Sequence, residues 1–245
     1  MTPTVIAAVA LTVFIGAGAQ RVTGMGFSLV VAPFLILTLG PIHGVILTNW
    51  CSIVAASTNL STSWRQLDWR RLAILSPAAA AGCLPGFVLV RYVPSAILAM
   101  VVSLLTLTAL VMSMTRRTAG GRDGTLLRAG AGFASGFLAV SAGVGGPPVA
   151  IYRQRVGWPH LSFVASAQFH FAVTGIAALV AKWQAPNFPL SGWLVLGAAI
   201  VLGSLVGRAL SHRLPSAVAL RLVMWAACGG TIFVFVRALA SVAQN

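Results

Sequence analysis

Apolar stretches of about twenty residues, the length a bilayer core demands of a helix, follow one another along almost the whole chain. Six are uninterrupted: residues 43–63, 72–90, 95–115, 160–181, 190–210 and 217–240. Two more, 4–39 and 125–152, are broken by clusters of glycine and polar residues. A soluble fold needs a surface on which about a quarter of all residues are charged, and here only 7% are. The chain is therefore expected to be an all-α, polytopic membrane protein of about eight transmembrane segments, its outer surface meeting lipid. No positive charge precedes the first apolar run. That run also has a counterpart later in the chain, so residues 1–20 are read as part of the fold and not as a signal peptide.

The counterpart belongs to a duplication. Gly82-Cys83-Leu84-Pro85-Gly86 and Val93-Pro94-Ser95-Ala96 match Gly203-Ser204-Leu205-Val206-Gly207 and Leu214-Pro215-Ser216-Ala217, both at a shift of 121 residues. Gly24-Met25-Gly26 matches Gly143-Val144-Gly145 at 119, and Gly40-Pro41-Ile42-His43 matches Gly157-Trp158-Pro159-His160 at 117. Four anchors in one order divide the chain into a first repeat (1–115), a polar linker (116–124) and a second repeat (125–245).

Each repeat opens with an interrupted stretch and continues with three plain ones. If each interrupted stretch enters and returns to one side, then Arg65, Arg70 and Arg71, the group Arg116, Arg117, Arg122 and Arg128, the pair Arg153 and Arg155, and Arg213 all fall on a common side. Cytoplasmic loops carry such an excess of arginine, so this side is expected to face the cytoplasm, with both termini external. The same count gives each repeat an odd number of crossings, so the repeats are expected to be inverted. Equivalent loops agree: residues 64–71 carry three arginines, their mates at 182–189 a single lysine. Trp64, Trp69, Trp158 and Trp183 flank these loops, as an interfacial aromatic belt does.

Inverted repeats with interrupted helices are the pattern of secondary transporters, whose substrates bind near the midplane at the breaks. Glycine at a break frees backbone N–H groups, proline suits the first turn of the restarting helix, and a helix N-terminus attracts anions. Two facing ends would form an anion cradle. The candidate substrate-binding residues are Arg21, Thr23, Gly24, Gly26 and Ser28 at the first break and Gly143, Gly145 and Gly146 at the second. Asn49 and, in the equivalent span, Gln168 and His170 would wall it. The competing reading makes these glycines helix-packing residues, Arg21 an interfacial side chain and the polar residues interhelical glue.

The absences narrow the chemistry. Asp68 and Asp123 are the only acidic residues, and both lie in expected cytoplasmic loops. That excludes a buried-carboxylate cation site and an Asp/Glu proton relay. The 16 Lys and Arg sit between apolar runs and form no basic stripe, which argues against nucleic acid. Cys51, Cys83 and Cys228 have no metal-ligand spacing. Gly132-Phe133-Ala134-Ser135-Gly136 has one residue too many for a rhomboid-type serine motif, and there is no P-loop. No catalytic residue, metal or cofactor is expected. The partners expected are a small anion, membrane lipid and a coupling ion such as H+, carried by a histidine such as His170 or by the anion's own protonation.

Thr23-Gly24-Met25-Gly26-Phe27-Ser28, followed by Ala32-Pro33-Phe34-Leu35, and Gly143-Val144-Gly145-Gly146-Pro147 resemble the sulfite exporter TauE/SafE family, also called the 4-toluene sulfonate uptake permease family. Length, span count and duplication resemble it too. Pro147-Pro148 depart from it, standing where many members continue with Gly or small residues. The resemblance implies an inner-membrane transporter of sulfite, organosulfonates or other organic anions. An anion channel and a carrier of small carboxylates are the alternatives.

Overall fold

The structure is a computed structural model that describes residues 3–114, 120–182, 190–211 and 216–243. Arg116, Arg117, Arg213, Trp183 and the repeat anchor Leu214-Pro215 lie outside the described residues. The elements are helical throughout, with no strand among the described residues. The first half of the chain holds α1 (Pro3–Thr23), α2 (Gly26–Leu39), α3 (Pro41–Leu60), α4 (Trp69–Tyr92) and α5 (Ser95–Met114). The second half holds α6 (Thr125–Ala142), α7 (Gly146–Val156), α8 (His160–Lys182), α9 (Leu190–Ser211) and α10 (Ser216–Ala243). Six segments are long and apolar enough to cross a membrane: Thr4–Thr23, Trp69–Tyr92, Thr125–Ala142, His160–Lys182, Leu190–Ser211 and Arg221–Ala240. The chain is a multi-pass membrane protein. α3, which carries His43, Asn49 and Asn59, and α5 fall outside that set.

Local chemistry sets the boundaries. Asp68 caps α4 by accepting from the Arg71 N–H at 3.1 Å. Gly143 ends α6 in a left-handed conformation (φ 73°), with its N–H on the Ala139 carbonyl and the Val144 N–H on Leu138.

At both breaks the chain doubles back on itself. Val9, Val13 and Ala17 of α1 share an apolar cluster with Phe27, Val31 and Leu35 of α2. At the second break, the N–H groups of Gly120 and Gly121, just ahead of α6, donate to the Arg155 carbonyl near the end of α7. Each interrupted stretch is thus a helical hairpin whose two arms open at one end of the molecule.

The hairpins are clamped by close helix pairs, α1 with α9 and α4 with α6. A Cβ on Gly82 would stand 2.1 Å from the Phe133 carbonyl oxygen, and one on Gly203 would stand 2.2 Å from that of Phe14. Gly86 faces the Phe137 oxygen at 2.9 Å and Gly207 that of Gly18 at 2.6 Å. The two glycines of each pair stand 121 residues apart in the sequence, and the facing carbonyls 119 apart. α2 also packs against α10, and α7 against α5. Between them α3 and α8 pack together. Ile53 and Asn49 meet Gly175, and Asp68, beyond the end of α3, donates its N–H to Ser166 Oγ near the start of α8. The two helices therefore run antiparallel.

Both carboxylates lie at one end. Asp123 accepts from Arg128 Nε (2.8 Å) and Tyr152 Oη (2.7 Å) and pairs with Arg71 (2.9 Å), while Arg71 also holds Asp68. The cluster ties α4, α6 and α7 together. Trp64 and Trp69 are exposed there, as an interfacial belt requires. Trp158 corrects that expectation: it is buried against Tyr152 and Phe163, with the Arg71 guanidinium 4.9 Å from its ring centre.

Gly136→Ala puts a methyl 1.8 Å from the Ala79 carbonyl oxygen, whereas Gly130→Ala meets open space. The first should cost about 1–3 kcal/mol or more and lower the detergent melting temperature by several degrees. The second should leave that temperature unchanged or slightly raised. Hydrogen bonding from Arg128 holds the Asp123 carboxyl well below the usual carboxylate range. A depressed folded-state value stabilises above the unfolded pKa, about 3.9, and that stability is lost as pH falls through it toward the folded value. Melting temperature should therefore drop below about pH 4. Asp123→Asn should melt lower at neutral pH and show a smaller drop in that window.

Candidate functional site

The two breaks meet in the interior. A Cβ on Gly146, the first residue of α7, would lie 3.5 Å from both Cβ and the carbonyl oxygen of Met25, the residue preceding α2. Leu29, Ala32, Ala142 and Val144 join the flanks of the breaks in one buried cluster. Gly24 turns the first break at φ 85°, where a side chain would be strained and would also collide with Val164 of α8.

Helix N-termini leave their first N–H groups without intrahelical partners. In α2 these belong to Gly26, Phe27 and Ser28, and among the described residues no backbone acceptor outside the helix is found for them. Met25 N–H is held by Thr23 Oγ1 at 3.3 Å, and Thr23 donates in turn to the Ala19 carbonyl. The start of α7 is poorer in donors. Pro147 and Pro148 have no N–H, which leaves Gly146 alone. The two ends are related in sequence but unequal in chemistry: α2 carries most of the donors, while α7 contributes rigidity and a close backbone.

Polar side chains brace the breaks from the layer of α3 and α8. Gln168 Nε2 donates to the Gly24 carbonyl (3.0 Å), and its Oε1 accepts from Gln20 Nε2 (2.5 Å). Asn49 Nδ2 donates to the Ala139 carbonyl (3.1 Å), one turn before the second break. Ser135 Oγ donates to the Gly145 carbonyl (2.7 Å) and lies 3.0 Å from His170 Nε2. A hydroxyl has one hydrogen. With that hydrogen on Gly145, His170 Nε2 carries its own and donates to Ser135. His170 Nδ1 is then a buried acceptor with no partner among the described residues.

The structure thus brings Thr23, Gly24, Gly26, Asn49, Gly143, Gly145, Gly146, Gln168 and His170 around the paired breaks. Ser28 is half-buried in the first turn of α2. Arg21 takes a different direction: its guanidinium donates to Thr62 Oγ1 (2.9 Å) and Asn59 Oδ1 (3.5 Å) at the far end of α3. Among the described residues no hydrogen bond joins it to the break residues. Gln20 and Ser135 are not among the candidate substrate-binding residues, although each supports a break directly. A polar residue in an otherwise apolar helix is the signal that points to them. Beside the second break, Val144 and Ala142 line a cavity with about 20 Å³ of free space, shared with Ser103, Thr106 and Thr231. That is room for about one water.

Ser135→Ala should strand the Gly145 carbonyl and His170 Nε2 together in a dry interior. The expected loss is about 1–3 kcal/mol, read as a lower melting temperature in detergent. Ser135→Thr, which keeps the hydroxyl, should recover part of it.

None of the curated proteins and none of the solved structures matches the chain. A profile of the family described as sulfite exporter TauE/SafE matches residues 8–234. That match runs from the first hairpin into α10 and includes both breaks, and on it the chain belongs to the TauE/SafE sulfite exporter family.

Proposed function

We propose that the chain is an ion-coupled secondary transporter of small sulfur-containing anions, sulfite or an organosulfonate, which alternates access around a site at the paired breaks. The observation that carries this reading is the meeting of two buried interrupted helices, Met25 against Gly146, in a protein of an exporter family. A desolvated anion needs fixed donors. The N–H groups of Gly26, Phe27 and Ser28 supply them without a permanent charge that would hold the anion too tightly for release.

The repeats 1–115 and 125–245 are related, on this proposal, by a two-fold axis in the membrane plane, with eight segments in all. The paired helix contacts and the antiparallel α3 and α8 support it. The end bearing Arg65, Arg70, Arg71, Arg122 and Arg155 faces the cytoplasm and both termini lie outside, in a bacterial inner membrane. Arg21, Thr23, Gly24, Gly26, Ser28, Asn49, Gly143, Gly145, Gly146, Gln168 and His170 form or border the site. No span holds a carboxylate, so proton coupling runs through His170 or through the anion's own acid–base chemistry. A channel, or a carrier of small carboxylates, is the competing reading.

Reconstituted protein should show saturable sulfite counterflow, which a channel does not give. Gly146→Ala, whose methyl would make ordinary contact with Met25, should transport nearly as the parent does. Gly146→Val should fold and yet lose about tenfold or more in transport, the factor that corresponds to ~1.4 kcal/mol. Wild-type counterflow in the Val variant would show that the space between the breaks is not the site.

A further inference from the structure

Lys182, the last residue of α8, is buried at 7% exposure, and among the described residues its Nζ has no hydrogen-bond partner. It lies beside Cys83 of α4. Near it, Cys83 packs with Val140 of α6 and Ala178 of α8. The sequence holds no side-chain carboxylate that could neutralise it. Asp68 and Asp123 are the only two, and both are engaged by Arg71 and Arg128 at the end where α8 begins. The 23 residues of α8 carry Lys182 about 33 Å from that end. The neighbouring segment, Trp183 to Pro189, has no acidic residue either.

A buried ammonium without a counter-charge is costly. In a membrane protein such a group marks an ion path whose partner comes and goes. The duplication points to a second cation in the equivalent place. Arg21 sits at the C-terminal end of α3, the repeat mate of α8, and against Gly207 of α9, the repeat mate of α4. Lys182 sits at the C-terminal end of α8 and against α4. Because α3 and α8 run antiparallel, these two ends lie at opposite faces of the molecule.

Resting on the transporter reading above, we infer that Lys182 and Arg21 are the two entry sites for the transported oxyanion, one at each face. Lys182 receives the anion from the face opposite the Asp68–Asp123 cluster, and Arg21 receives it from the face that bears the cluster. Each cation takes the place of part of the anion's water before the anion reaches the neutral N–H groups of the breaks. Lysine suits this role because its compact ammonium pairs with an oxyanion without the bidentate grip of a guanidinium.

The test is sulfite transport in right-side-out and inverted membrane vesicles, comparing the parent with Lys182→Met, Lys182→Arg and Arg21→Gln. Lys182→Met should raise KM about tenfold for sulfite offered at the face opposite the acidic cluster and leave KM at the other face within about twofold. Lys182→Arg should keep most of the affinity, and Arg21→Gln should show the reverse sidedness. A Lys182→Met protein that melts higher than the parent while its KM is unchanged at both faces would make Lys182 a structural burial only and overturn the inference. A loss confined to stabilisation by added anionic lipid, with sulfite KM unchanged, would assign the site to a lipid phosphate and overturn it as well. Absence of sulfite transport by the parent protein would remove the transporter reading itself, a result distinct from unchanged sidedness in an active variant.

Discussion

Direct backbone contact between helices is the interaction on which the rest of this molecule depends. In lipid there is no hydrophobic force to drive helices together, and association relies on close packing. Gly82 against Phe133, Gly203 against Phe14 and Gly136 against Ala79 leave no room for even one methyl. These contacts bind one hairpin to α9 and the other to α4, and so hold the two breaks face to face. Looser crossings would part Met25 from Gly146, and the unpaired N–H groups at the start of α2 would then face hydrocarbon.

The polar chemistry is arranged around that meeting point in a specific order. Side-chain amides and hydroxyls satisfy the carbonyls of the breaks: Gln168 takes Gly24, Asn49 takes Ala139 and Ser135 takes Gly145. Among the described residues, the N–H groups of Gly26, Phe27 and Ser28 have no backbone acceptor outside the helix. Such a division leaves a surplus of donors in the interior, which is the right bias for a negatively charged guest and the wrong one for a cation. The chain's shortage of carboxylates serves the same bias, since an acidic residue near the breaks would both compete for the donors and repel the anion.

Much of this was legible in the sequence because it depends on length, composition and order. Apolar runs gave the helices to within a few residues, and the four repeat anchors placed both breaks, which the structure locates at Gly24-Met25 and at Gly143 to Gly145. The glycines of the Gly82–Gly86 and Gly203–Gly207 anchors stood out as repeats before their steric purpose was visible. What a one-dimensional pattern cannot give is the neighbour across the repeat. Arg21 follows the first break so closely that it reads as a break residue, yet its long side chain leads to Thr62 and Asn59. Trp158 sits beside a loop and reads as interfacial, but its ring is enclosed by Tyr152, Phe163 and Arg71. Ser135 lies in an apolar helix with no periodic signal of its own, and only the folding back of α7 brings Gly145 within its reach.

The ion-pair cluster at one end makes the two ends of the molecule energetically unequal. A carrier made of two identical halves would rest equally often open to either side. Any preference must come from features that one half has and the other lacks. Arg71, Asp123, Arg128 and Tyr152 fasten α4, α6 and α7 at a single end, and among the described residues no ion pair lies at the other. Opening the fastened end would mean parting charged groups; opening the far end would not. The empty protein would then wait with its unfastened mouth open, and its charges would set the direction from which the first anion arrives.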